Sequence, residues 1–149
     1  MATRSRIAIE TTDTSGNKVI KSIYCHFDGY PSGVGKTLIE NYKAREKVEA
    51  LISLGDISFI KEEVIPTGPH SFDYPQKGVT VAYHRDRGEK FKSPRINSSV
   101  REFFLSDIEE YGYLFSEEGE WLFKSTTTAR SKDPMPLELH FSSQVNPLP

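Results

Sequence analysis

The sequence predicts a single α+β domain built on a mixed or antiparallel sheet, with two main helices and a C-terminal hairpin. Three observations carry that expectation. Strand-like runs separated by turn formers lie toward both ends of the chain. Two capping-box starts precede apolar residues at helical spacing. The 149 residues are 36% hydrophobic and 27% charged, enough apolar side chain for one core without disulfide or metal staples.

The first two runs, Arg6 to Glu10 and Lys18 to Phe27, flank Thr-Asp-Thr-Ser-Gly-Asn and read as a hairpin. After a loop over Asp28 to Gly35, Thr37 and Glu40 have capping-box spacing. Apolar residues at 38, 39, 42, 48, 51 and 52 then predict one long or two short helices that stop at Gly55. Residues 66 to 78 hold three prolines and two glycines around His70, Phe72 and Tyr74, the composition of a covering or functional loop. Val79 to His84 reads as a strand by its β-branched and aromatic content, closed by a turn at Asp86 to Gly88. Ser99 and Glu102 open the clearest helix, with Val100, Phe103, Phe104, Ile108 and Tyr111 on one stripe and Gly112 as its breaker. Tyr113 to Phe115 and Trp121 to Phe123 form the last hairpin. Residues 1–125 are therefore expected to be the domain, and 126–149, with four prolines, a flexible tail or partner-binding arm.

A formal net charge of −2 supplies no general attraction to nucleic acid or to an anionic membrane. Neither a membrane-length apolar run nor a signal-like start is present, so the expected location is the cytoplasm, that of a host cell if the origin is viral. The single cysteine, Cys25, lies in an apolar strand pattern and reads as a small buried side chain.

Three constellations bear on chemistry. Gly29 to Thr37 approximates a phosphate-binding loop ahead of a helix, but Tyr30 stands where the motif needs its first glycine, so the segment reads as a tight turn. A His-x-Asp pair occurs twice, at His26 and Asp28 and at His84 and Asp86, each near a predicted strand end where alternation puts both members on one face. If the two strands are neighbours, the four side chains form a candidate divalent-metal or acid/base site. They are similar to the strand motifs of the twin-histidine phosphoesterases, with aspartate in place of the hydroxyl residue. The third feature is charge segregation. Between Arg85 and Arg101 six basic residues face two acidic ones, while Glu102 to Glu120 carries seven acidic residues and no basic one. Arg85 and Arg87 are thus candidates to clamp a phosphate group, with Tyr30, Tyr74 or Phe91 available to stack on a base.

Tyr24-Cys-His-Phe-Asp-Gly-Tyr-Pro31, the helical stretch from Gly33 to Asp56, and Val81-Ala-Tyr-His-Arg-Asp-Arg-Gly-Glu89 resemble a family of short, functionally uncharacterised proteins common in bacteriophage genomes and prophages. The closing hairpin around Tyr111 to Phe115 and Trp121 is similar too, so the resemblance spans roughly residues 20 to 125. It implies a viral protein that acts on its host, by binding a host protein or by sequestering a nucleotide signal of an immune system.

The expected function is therefore a non-enzymatic binding protein, a counter-defence sponge for a nucleotide-like or phosphorylated signalling molecule, with no cofactor. Asp28, Tyr30, Tyr74, His84, Arg85 and Arg87 are its candidate ligand-binding residues. One alternative is a metal-dependent phosphoesterase using His26, Asp28, His84 and Asp86. Another is an inhibitor that engages a host protein through an acidic helix over Glu102 to Glu118. A homo-oligomer is compatible with all three.

Overall fold

The computed structural model describes residues 2–126 and 134–145. Its centre is the expected hairpin: β1 (Ser5–Thr12) and β2 (Lys18–Cys25) pair antiparallel, from Ser5 opposite Cys25 to Thr12 opposite Lys18. The Asp13 carboxylate closes the turn by accepting the backbone N–H groups of Ser15 and Asn17, both at 2.9 Å. Strand alternation sends Ile7, Ile9, Ile23 and Cys25 to one face and Ala8 and Ile20 to the other, and helices cover both faces.

The first face packs against α1 (Lys36–Asn41) and α2 (Arg45–Ser53), whose Leu38, Val48, Leu51 and Ile52 join Tyr42 in the main cluster. The second packs against α4 (Val100–Leu105), through Phe103 and Phe104, and against Ile108 beyond it. The other strands are β3 (Ile57–Phe59), β4 (Val81–Ala82), β5 (Arg95–Asn97), β6 (Tyr111–Phe115) and β7 (Trp121–Ser125); a short helix, α3 (Tyr83–Arg87), follows β4. With β8 (Met135–Pro136), which precedes α5 (Leu137–Val145), they complete an eight-stranded mixed sheet of order β4-β3-β2-β1-β6-β7-β8, and β5 also pairs with β2. The α+β expectation holds, and the sheet is mixed because β6 runs parallel to β1 while β7 returns antiparallel as the predicted hairpin.

Aromatic polar tips tie the layers together. The Tyr113 hydroxyl donates to Gly29 O at 2.7 Å, the Tyr42 hydroxyl to Lys61 O at 2.7 Å, and Trp121 Nε1 to Tyr42 O at 2.9 Å, so these large buried rings leave no polar atom stranded.

Several local expectations are corrected. Thr37 caps nothing, because a π-helical turn over Pro31–Gly35 already leads into α1 and the Thr37 hydroxyl donates back to Gly33 O. At α4 the Ser99 hydroxyl does accept the Glu102 N–H, but the Glu102 carboxylate turns to Ser98 and Asn97 instead of closing the reciprocal box. That helix ends at Leu105, short of the predicted Tyr111: Ser106 is extended, the Asp107 carboxylate accepts the Glu109 N–H, and Glu109 takes a left-handed φ of 65°. The acidic helix over Glu102 to Glu118 is consequently absent as a single face. Its residues spread over α4, a loop and a hairpin, with Glu109 paired to Arg4 and Glu117 to Lys18.

The stretch read as a tail from residue 126 also differs. Its described part, 134–145, adds β8 to the edge of β7, and Leu137 at the start of α5 is 0% exposed in the main cluster beside Gly35. Proline at 136 is tolerated there because, among the described residues, β8 has only β7 as a neighbour. Residues 127–133 and 146–149 lie outside the described residues. Among the described residues no helix is long and apolar enough to cross a membrane.

Leu137→Ala is therefore expected to destabilise the domain by about 2–5 kcal/mol, the usual cost of emptying a buried leucine site. Urea unfolding checks this; an unchanged midpoint would mean that the segment contributes no core.

Candidate functional site

β2 shares its outer edge between two partners. β5 pairs with Ile20 to Ser22, and β3 pairs with Cys25. The β3 pairing continues as the His26 and Phe27 N–H groups donate to Ile57 O and Ser58 O. Tyr24 falls between the two, and its N–H donates to the Asp56 carboxylate at 3.0 Å in place of a strand carbonyl. Residues 88–94 form a strap that joins α3 to β5 across this fork. Fork and strap together enclose a cleft of about 350 Å³. Tyr24, Leu54 and Asp56 line it from β2 and the α2–β3 turn, Tyr83, His84 and Arg87 from α3, and Glu89, Lys90 and Lys92 from the strap.

The position of α3 depends on Asp86. A strand was predicted through His84, yet pairing ends at Ala82 and the chain coils. The nearly solvent-free Asp86 carboxylate accepts the Ala82 N–H at 2.7 Å and Arg85 Nε at 2.8 Å, and lies 3.1 Å from His70 Nε2. His70 Nδ1 accepts the Gln76 N–H at 2.9 Å, so a neutral ring carries its proton on Nε2, the atom that faces Asp86. Arg85 also donates to Val64 O at 2.6 Å and Thr80 O at 2.7 Å. Burial alone would raise the Asp86 carboxyl pKa, but the hydrogen bonds from Arg85 and the Ala82 N–H, with His70 close by, outweigh it and hold the group below its ordinary value. This network fastens the loop over 66–78 to α3.

Arg87 is presented differently. Its guanidinium lies 4.1 Å from the centre of the Phe72 ring and 5.1 Å from that of Tyr83, and it pairs with Glu89. His84 Nδ1 is 2.7 Å from Glu89 O, and the His84 ring stands edge-on to Phe91. Burial pushes the Tyr24 and Tyr83 hydroxyls above their ordinary pKa, so both stay protonated at neutral pH. Tyr24 OH is 2.7 Å from His26 Nδ1. Opposite Tyr24 on β1, buried Arg6 donates to the Ser22 hydroxyl and carbonyl; burial first and the neighbouring Arg95 second lower its pKa.

Of the six residues expected to bind a ligand, His84 and Arg87 line the cleft. Arg85 is spent on Asp86 and two carbonyls. Asp28 and Tyr30, joined by a 3.1 Å hydrogen bond, line a separate pocket of about 460 Å³ with Lys36, Glu40 and Lys61. That pocket includes the segment likened to a phosphate-binding loop, where Gly33 is required for close approach: a Cβ there would lie 2.3 Å from Asp28 O. Tyr74 is 84% exposed and lines neither.

The alternative metal set of His26, Asp28, His84 and Asp86 does not assemble. His84 and Asp86 sit on a helix, where residues two apart diverge, instead of on one face of a strand. Among the described residues no three His, Cys, Asp or Glu are grouped so as to hold a metal ion. Cys25 is fully buried, and burial pushes its thiol up to about 12, which keeps it protonated and unreactive.

Lys90 and Lys92 were legible only as part of a basic run. Tyr24 and Asp56 lay in stretches that carry the resemblance but showed no sign of a binding role, since that role comes from the fork. No family model, curated protein or solved structure matches the chain, so the cleft is read from its own geometry.

Asp86→Asn is expected to cost about 1–3 kcal/mol near neutral pH, by unbalancing a buried hydrogen-bonded group. Because the folded pKa is depressed, the contribution of Asp86 is complete above the ordinary aspartate range and is lost as pH falls through the folded value. Urea midpoints measured across acid pH should fall more steeply for the wild type than for the variant. Parallel curves would contradict this account of Asp86.

Proposed function

We propose that this chain is a non-enzymatic binding protein that holds a small phosphorylated, nucleotide-like ligand in the cleft at the β2 fork. The observation that carries the reading is the company Arg87 keeps. A guanidinium that lies over the Phe72 ring and near that of Tyr83 shares one small cleft with Lys90, Lys92, His84 and the hydroxyl-bearing Tyr24. Planar guanidinium forks match phosphate oxygens in a bidentate way, and ammonium groups add charge without demanding geometry.

The Glu89 carboxylate now paired with Arg87 does not block such a ligand. Both side chains are about half exposed, with 49% and 44% of their side-chain surface accessible, and a pair of that kind contributes roughly 0–1 kcal/mol. A phosphate dianion can therefore displace it at small cost. Nothing in the cleft demands turnover: the reading needs binding groups only, and the His-x-Asp residues needed for metal-assisted hydrolysis are apart.

The setting of this activity is the second half of the proposal. Two of the segments that resemble small phage proteins, Tyr24 to Pro31 and Val81 to Glu89, meet at the cleft through Tyr24, Tyr83, His84, Arg87 and Glu89. That coincidence favours a counter-defence sponge, a viral protein that withdraws a nucleotide-like signal from the host cytoplasm by stoichiometric binding. An inhibitor acting through an acidic helix is less favoured, because the helix ends at Leu105 and Glu109 and Glu117 are already paired.

Calorimetric titration with inorganic phosphate and with adenosine monophosphate tests the reading. Arg87→Ala should weaken both at least about tenfold, the loss of one bidentate contact, with an unchanged unfolding midpoint. Glu89→Gln should strengthen both several-fold, since it removes the competing carboxylate. Equal affinity in wild type and Arg87→Ala, or no binding of either probe, would overturn the proposal.

A further inference from the structure

The strap that closes the cleft has a second side. Phe91, between Lys90 and Lys92, does not line the cationic cleft but a neighbouring groove of about 600 Å³, together with Ile9, Ile52, Pro94 and Ile96. The two hollows are continuous along the chain: Leu54 lines one and Ile52 and Ser53 the other, Lys90 and Lys92 line one and Phe91 and Ser93 the other. They differ in chemistry: charged and polar residues line most of the first, whereas the second sets Ile52, Pro94, Ile96 and Phe91 beside Thr11, Lys21 and Glu49.

The strap is held at a fixed height. Gly55 ends α2 with a φ of +77°, and a Cβ there would lie 3.1 Å from Lys92 O and 3.2 Å from a Phe91 ring carbon, so the strap rests directly on that turn. Phe91 is braced against Gly55 on one side and meets His84 edge-on at 5.3 Å, yet remains 41% exposed. An aromatic ring fixed in place and still open is suited to stacking, because its conformational entropy is already lost before a ligand arrives. Tyr30 and Tyr74, the other rings available for stacking by sequence, line other surfaces.

We infer that the groove beside Phe91 is a second subsite of the same ligand, which is an aryl or nucleobase-bearing phosphate: its phosphate sits with Arg87, Lys90 and Lys92, and its flat apolar part crosses the strap onto Phe91 and Ile96. This rests on the cleft being the phosphate site. It excludes inorganic phosphate and simple sugar phosphates as the physiological ligand, since these would leave the groove empty. The cationic strap residues on either side of Phe91 favour the same class, because they put positive charge beside the ring.

Two probes of equal charge separate the subsites, glycerol phosphate with no ring and 1-naphthyl phosphate with one. In calorimetry the wild type should bind the naphthyl ester at least about tenfold more tightly, the stacking increment expected for one ring. Phe91→Ala should abolish that advantage and leave glycerol phosphate unchanged. Ile96→Asp, on an exposed edge-strand position that the fold does not need, should reduce the advantage without moving the strap. Equal affinity for the two probes in the wild type, or an advantage that survives both substitutions, overturns the second subsite while leaving the phosphate site standing. No binding of either probe overturns the phosphate site and the subsite with it.

Discussion

The Tyr24 N–H donates to the Asp56 carboxylate at the gap in the β2 edge between the stretch paired with β5 and the stretch paired with β3. A strand edge cannot be left with an unsatisfied buried N–H, and a side chain that caps it lets two short strands share one edge without meeting. The fork follows from that bond, and the strap must cross the fork to connect α3 with β5. Cleft, strap and groove are thus consequences of how one edge is divided. Asp56 serves both ends of the arrangement, since its own carbonyl accepts the Tyr83 N–H and fixes the start of α3.

The rest of the wall is made rigid from behind. Asp86 accepts from the Ala82 N–H and Arg85 in a nearly solvent-free position with His70 beside it, its own carbonyl accepts the Phe72 N–H, and Arg85 reaches two carbonyls from the same network, so the loop over 66–78 is anchored without regular structure of its own. That anchoring places Phe72 beneath Arg87. Two adjacent arginines consequently have opposite fates: Arg85 is consumed in holding the backbone, and Arg87 is displayed. A binding residue on so short a helix needs this support, because a five-residue helix has no stability of its own in water.

Much of the fold was legible in the sequence, and the site was legible only in fragments. The central hairpin showed itself through the turn formers from Thr12 to Asn17, and the final hairpin through its two aromatic runs, because such pairings are local. The parallel pairing of β1 with β6 joins residues about a hundred positions apart in the chain, and no periodicity reports it. Val79 to His84 has strand composition, but a tertiary network around Asp86 overrides it and coils the chain at Tyr83. Leu137 lay in a proline-rich stretch that reads as a tail, although its neighbours make it core. At the site, Arg87 and His84 were visible as residue types, and Lys90 and Lys92 as charge; Tyr24 and Asp56 acquire their roles from strand edges that only the folded chain brings together.

The central claim is spatial: a phosphorylated ligand binds at the β2 fork and nowhere else on the chain. Amide chemical-shift mapping by NMR during titration with adenosine monophosphate addresses it directly. The account predicts saturable shifts confined to Tyr24, residues 52–56 and residues 83–96. Shifts concentrated instead around Asp28 to Thr37, or none at a saturating concentration, would contradict it.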